Sequence, residues 1–135
     1  MRSELKLRPA LSKRLVAEFI GTGFLVAAVV GSGIMGERLA AGNIALALLA
    51  NTVATGAALV ALILTFGPIS GVHLNPAVTL ADALEGGLPW VEVPTYVCGQ
   101  IAGGIFGAIC AHLMFHAPEP RIRTSAEIVG MQEVK

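Results

Sequence analysis

The residues of this chain that could do chemistry are gathered in the stretch SGVHLNPAVTL, at positions 70–80. Asparagine is a favoured cap at the start of a helix, and proline is favoured at the first helical position. The pair Asn75–Pro76 therefore predicts a helix that starts at Pro76. A helix start carries partial positive charge and free N–H groups, and the amide of Asn75 adds two further donors. Such a group repels cations and offers hydrogen-bond donors to a polar neutral molecule.

The four residues before this pair supply the complementary acceptors. They are expected to run in an extended conformation and to present a line of carbonyl oxygens: Gly71, Val72, His73 and Leu74. Donors at one point and acceptors along a line suit the passage of water or small hydroxylated solutes. The ring of His73 is expected to brace the loop while its carbonyl faces solute, and a pH gate or metal ligand is the alternative.

Three long apolar runs must position this stretch, and they predict helices at about 15–36, 39–66 and 89–115. Each exceeds the roughly 20 residues that a membrane-spanning helix needs. With 55% hydrophobic residues, 13% charged residues and a mean hydropathy of +0.76, the composition is that of an integral membrane protein. A repeat of small residues on the third helix predicts a face where helices approach closely. Its members are Gly99, Gly103 and Gly107.

A fourth apolar segment, Ile69–Ala81, is too short to span a bilayer. Glycines and prolines interrupt its first half. Non-helical backbone survives at membrane depth only where protein or a watery cavity satisfies its polar groups. The sequence therefore predicts a re-entrant loop and half-helix over 69–85, with polar tails at 1–14 and 116–135.

Charge and reactive side chains argue against several classes of function. The formal net charge is zero and no basic face is evident, so we expect no nucleic-acid partner. Paired carboxylates, a nucleophile–base set and a nucleotide-binding loop are missing from the sequence, so we expect neither an enzyme nor a cofactor. His112 and His116 have the spacing of a metal-binding pair but no third ligand, and no metal site is expected.

Positive charge gives a weak indication of orientation. Five lysines and arginines precede the first predicted helix, and the remaining four of the nine would lie on the opposite side. Because cytoplasmic segments carry the excess of such residues, we expect the N-terminus in the cytoplasm and the protein in the cell (inner) membrane.

Three segments resemble the aquaporin (major intrinsic protein) family in order and spacing. They are AEFIGTGFLV at 17–26, SGVHLNPAVTL at 70–80 and YVCGQIAGGIFGA at 96–108. The resemblance covers about residues 12–115 and the N-terminal half of the family. It implies an all-α integral membrane fold, in which residues 15–115 form the first aquaporin-like repeat. That repeat is a half-bundle of three transmembrane helices plus one re-entrant loop with a half-helix.

The resemblance also implies a role for each residue of the loop. Asn75 would donate to the permeating molecule at the bilayer midplane, and Pro76 and Ala77 would form the tip of the half-helix. The carbonyls of residues 71–74 would line the inner half of the pore. Glu18 would be buried and would accept hydrogen bonds from backbone N–H groups of the loop. The alternative for Glu18 is a position at the membrane edge.

Thr55 stands where the family usually carries a bulky aromatic side chain at the outer constriction. A threonine there removes a large ring and adds a hydroxyl. The resemblance therefore predicts a wider, more polar filter that passes larger uncharged solutes, such as metalloid acids or glycerol-like polyols, beside water. The alternative is that Thr55 faces a neighbouring helix.

The implied function is a channel, or half of one, for passive passage of water and small uncharged solutes across the lipid bilayer. The family forms tetramers, so a homo-oligomer or a second half-channel is the expected partner. The sequence contains one Asn-Pro-Ala motif, where the family has two. Two alternatives stay open: a truncated or frameshifted fragment that does not conduct, and a small membrane protein that modulates a full-length relative.

Overall fold

The computed structural model describes residues 8–115, and this range is helical without strands. Four α-helices follow in order: α1 at Leu11–Leu39, α2 at Ile44–Ser70, α3 at Pro76–Leu84 and α4 at Val93–Phe115. A single 3₁₀ turn at Trp90–Glu92 leads into α4.

Three of these segments are long and apolar enough to cross a membrane, namely α1, α2 and Trp90–Phe115. The nine residues of α3 would rise only about 14 Å, which is roughly half of a hydrocarbon core. The prediction of an all-α half-bundle with three spanning helices and one half-helix is therefore confirmed.

The first helix is longer than the predicted 15–36, because polar residues at both ends continue it. It begins at Leu11 and already contains Arg14, so the predicted tail 1–14 overlaps the helix. At the other end of the described range, the predicted tail 116–135, with His116, lies outside the described residues.

The second helix is displaced by about one turn from the predicted 39–66. It starts late because Asn43 caps it, with the side chain accepting from the N–H of Leu46 at 3.1 Å. It then continues through Pro68, which lies inside the last turn. A proline there removes one helical hydrogen bond close to the end of the helix, where few further bonds depend on it. The helix ends at Ser70, and the residue that follows, Gly71, has a left-handed φ of +88°.

The glycine repeat lies where α1 and α4 cross. A Cβ atom built on Gly103 would overlap the carbonyl oxygen of Phe19, and one on Gly107 would overlap the carbonyl oxygen of Gly23. Gly99 differs, since its Cβ would lie at an ordinary 3.8 Å from the carbonyl oxygen of Leu15. The absence of side chains therefore permits direct backbone contact at two of the three positions.

We predict that Gly103→Ala destabilises the bundle by about 1–3 kcal/mol, the usual cost of overpacking a close contact. Gly99→Ala is the matched control, because its added methyl meets open packing. Thermal unfolding followed by circular dichroism in detergent micelles measures both. Equal melting temperatures for the two variants would contradict the proposed backbone contact.

Candidate functional site

The half-helix begins as its sequence predicts, with Pro76 in the first turn and Asn75 as the cap. The side-chain Oδ1 of Asn75 accepts from the N–H of Ala77 at 2.9 Å. Its backbone carbonyl accepts from the N–H of Thr79 at 3.0 Å. Because the helix uses the oxygens, the Nδ2 donors of this exposed residue stay without a partner among residues 8–115.

The loop before the half-helix is not extended, so that prediction is wrong. Gly71, Val72 and Leu74 have φ angles of +88°, +54° and +48°, in the left-handed region. For residues with a side chain this conformation costs about 1–2 kcal/mol each, so other contacts must hold it. Those contacts are hydrogen bonds from the N–H groups of the loop.

Glu18 of α1 receives most of these bonds. Its Oε1 accepts from the N–H of His73 at 3.0 Å, and its Oε2 accepts from the N–H of Leu74 at 2.8 Å. The carboxylate also accepts from the hydroxyl of Ser70 at 2.6 Å and from Nε2 of Gln100 at 2.8 Å. With 0% exposure and four donors, Glu18 is a buried and fully satisfied carboxylate.

The carbonyl groups of the loop show the opposite pattern. The two other N–H groups of the loop also have partners. That of Gly71 donates to the carbonyl oxygen of Gly67 at 3.1 Å, and that of Val72 donates to the hydroxyl of Ser70 at 3.2 Å. Within the described residues, no carbonyl oxygen of residues 71–74 accepts a hydrogen bond. The loop therefore binds the protein through its donors and leaves its acceptors free, beside the free amide of Asn75.

The ring of His73 points into the bundle. Its Nδ1 lies 3.2 Å from the hydroxyl of Thr79, and its Nε2 lies 3.4 Å from Oδ2 of Asp82. The ring also lies 5.4 Å, centre to centre, from that of Tyr96. At 8% side-chain exposure, the imidazole is placed to brace the loop against α3 and α4.

Three residues of the site were not singled out by the sequence analysis: Thr79, Tyr96 and Gln100. Gln100 donates from Nε2 to both Glu18 and Thr79, each at 2.8 Å, and so joins α1 to the half-helix. The available signal was a glutamine inside an apolar membrane helix, because such a polar group requires a partner.

A second, partly buried contact lies at the same end of the bundle. Arg14 of α1 forms a bidentate ion pair with Glu92, with both N–O distances at 2.8 Å. Beside it, the hydroxyl of Tyr96 donates to the carbonyl oxygen of Ser70 at 3.2 Å. These contacts thereby connect the starts of α1 and α4 to Ser70, the residue that precedes the loop.

Thr55 does not contact the loop. It lies on α2 about 22 Å along the helix axis from Ser70, at 1.5 Å per residue. Its hydroxyl donates to Oδ1 of Asn51 at 3.1 Å, one turn earlier on the same helix. Thr55 and Asn51 therefore lie apart from the loop, in the first half of α2.

Known proteins resemble this chain in sequence. A sequence model of the major intrinsic protein family matches residues 6–133. The chain is 57% identical over 108 residues to the aquaglyceroporin AqpS of Rhizobium meliloti (strain 1021), which covers 80% of this chain. It is 33% identical over 124 residues to aquaporin NIP3-1 of Oryza sativa subsp. japonica, which covers 86% of this chain.

The chain belongs to the major intrinsic protein family. The match reaches further than the 12–115 expected from the motifs, because it includes residues up to 133. This major intrinsic protein spans 46% of the length of the rhizobial relative and 39% of the rice relative. Members of the family are membrane channels rather than enzymes, and the three apolar helices make this a multi-pass membrane protein.

We predict that Glu18→Gln loosens the loop, because one of the two carboxylate oxygens is replaced by an NH₂ group facing donors. The expected loss of stability is about 3 kcal/mol, the usual cost of breaking a buried charged contact. Hydrogen exchange at the amides of His73 and Leu74 reports the effect directly, and both should lose protection. Glu37→Gln, at an exposed position of α1, is the control. Unchanged protection in the Glu18 variant would show that the carboxylate does not hold the loop.

Proposed function

We propose that this chain forms the loop-bearing half of a channel for passive passage of water and small uncharged solutes. One observation carries the proposal. Within residues 8–115, the N–H groups of the loop donate to Glu18, Ser70 and the carbonyl oxygen of Gly67, while the carbonyl oxygens of residues 71–74 accept no hydrogen bond. Free acceptors on a re-entrant loop, beside the free donors of Asn75, can bind a molecule that both donates and accepts hydrogen bonds.

Electrostatics favours uncharged solutes. The start of α3 carries partial positive charge, and it lies at the end of the acceptor row. A cation that followed the carbonyl oxygens would meet this positive end without a compensating carboxylate, because Glu18 is enclosed by its four donors. A neutral molecule is not repelled by this positive end.

The free carbonyl groups also support the proposal that a second protein segment packs against the loop. Each unsatisfied polar backbone group in hydrocarbon costs several kcal/mol, so the open face of the loop needs water or protein. We propose a second half-bundle on this face, either another copy of this chain in the inverted orientation or a separate half-channel. Tetramers of such units are the proposed assembly, in the inner membrane and with the N-terminus in the cytoplasm.

The proposed solutes include glycerol-like polyols and metalloid acids as well as water. The relative in Rhizobium meliloti is named an aquaglyceroporin, and it shares 57% identity with this chain. Thr55 supports the same range of solutes, because its side chain is small and carries a hydroxyl at the position expected for the outer constriction.

We predict that proteoliposomes carrying this chain pass water and glycerol faster than protein-free vesicles, measured by stopped-flow light scattering. Asn75→Asp should lower both fluxes, because aspartate keeps the helix cap but loses the Nδ2 donors. Asn43→Asp, the equivalent change at the cap of α2, is the matched control and should leave both fluxes unchanged. Wild-type fluxes equal to those of empty vesicles, with cross-linked oligomers present, would favour a non-conducting fragment or a modulator.

We predict that Thr55→Phe lowers glycerol permeability by about tenfold, equivalent to 1.4 kcal/mol, and lowers water permeability less. The added ring narrows the path that the larger solute needs. Thr52→Phe is the control on the same helix. Thr52 is exposed, and its hydroxyl donates to the carbonyl oxygen of Leu48 one turn earlier on α2. Glycerol permeability that survives the change at Thr55 would place this residue outside the path.

A further inference from the structure

We propose that a groove between the start of α1 and the end of α2 binds one anionic phospholipid, and that the bound lipid supports the loop. The groove is open on the surface of the bundle. Residues of both helices line it, among them Ser12, Lys13, Val16, Phe66 and Ile69. The inference does not depend on whether the chain conducts.

The polarity of the groove changes with depth in the membrane. Ser12 and Lys13 belong to the first turn of α1, and Ile69 belongs to the last turn of α2, so these residues lie at one boundary of the spanning segments. Val16 and Phe66 lie about one turn further along their helices, which is roughly 5 Å deeper. The groove is therefore basic at the boundary and apolar below it, in the same order as the headgroup and acyl chain of a phospholipid.

The positive charge at the mouth of the groove is not compensated within the described structure. Lys13 is the charged residue that lines the groove, and its ammonium group has no hydrogen bond or ion pair among residues 8–115. The first turn of α1 contains no acidic residue. The neighbouring Arg14 is directed to Glu92 by its bidentate ion pair. A phosphate group is thus the complementary partner for Lys13, as it is for basic residues beside membrane-spanning helices in general.

The size of the groove distinguishes a lipid from a free anion. Its volume is about 600 Å³, within the range of about 300–1,000 Å³ that is usual for sites of small molecules. A free phosphate would use only the end at Lys13. A phospholipid would also cover the apolar part, where the side chain of Val16 is 56% exposed. Both parts of the groove therefore have a function only when the occupant is amphipathic.

Phe66 connects the groove to the loop. A Cβ atom built on Gly21 would lie 3.5 Å from Cδ2 of Phe66 and 2.6 Å from Cδ2 of Leu74, so both side chains pack against the same glycine. Leu74 is the loop residue whose N–H group donates to Glu18. An acyl chain that packs on Phe66 would hold this layer of side chains in place. We therefore expect bound lipid to stabilise the loop.

Native mass spectrometry of the full chain in detergent micelles tests the binding. Phosphatidylglycerol should bind about fivefold more tightly than phosphatidylcholine with the same acyl chains, the factor that corresponds to one basic residue at a membrane surface. Lys13→Gln should lose this preference, and Lys13→Arg should keep it. Arg8→Gln is the matched control, because Arg8 does not line the groove and donates to the carbonyl oxygen of Gly87. Equal affinities of the wild type for the two lipids, or an unchanged preference in Lys13→Gln, would overturn the proposal.

Two other occupants predict different results. If inorganic phosphate displaced phosphatidylglycerol, the apolar part of the groove would take no part in binding and the proposal would be wrong. A second copy of the chain is the other alternative. It predicts that Val16→Cys, in a background of Cys98→Ser and Cys110→Ser, forms a disulfide-linked dimer in vesicles with a yield that phosphatidylglycerol does not lower. That result would also overturn the proposal.

Hydrogen exchange at the amide of Leu74 tests the effect on the loop. Phosphatidylglycerol at a saturating concentration should slow this exchange in the wild type and in Lys13→Arg, because a ligand that binds the folded loop stabilises it. The exchange should not change in Lys13→Gln. Exchange at Leu74 that is the same with and without bound lipid in the wild type would refute the inferred support of the loop.

Discussion

The carboxylate of Glu18 is the contact on which the loop geometry depends. It sits within a membrane-spanning helix at 0% exposure, where an unpartnered charge would be strongly unfavourable. Its four donors come from the end of α2, from the loop and from α4. One side chain thus joins three elements. The left-handed residues Val72 and Leu74 are held because the N–H groups of His73 and of Leu74 itself donate to the carboxylate.

The division of polar groups across the loop follows from this contact. Because the N–H groups face Glu18, the carbonyl oxygens are available on the open side, next to the amide of Asn75. Asn75 repeats the division within one side chain, since its oxygen caps the half-helix and its nitrogen stays free. Stability and the proposed function would therefore use different atoms of the same residues, so we expect that a substitution can affect one without the other.

The sequence predicts features that depend on neighbours along the chain. Apolar run length identified the three spanning helices, and the Asn75–Pro76 pair identified the start of the half-helix. The left-handed loop could not be predicted, because bonds from Glu18, more than fifty residues away in sequence, determine it. The role of Gln100 was not predicted for the same reason. A glutamine in an apolar helix requires a hydrogen-bond partner, but the sequence does not show which residues supply it.

The second helix, α2, is held to the rest of the bundle mainly by its contacts with α1. Only two of its residues are buried within the described structure, Leu62 and Ser70, whereas α1 packs against both α2 and α4. The first half of α2 is held to α1 by two contacts. Gly36 approaches Ala47 so closely that a Cβ would lie 3.0 Å from the carbonyl oxygen of Ala47, and Ser32 hydrogen-bonds Asn51. Since most other residues of α2 are not buried within the described structure, these contacts contribute strongly to holding the start of α2 against α1.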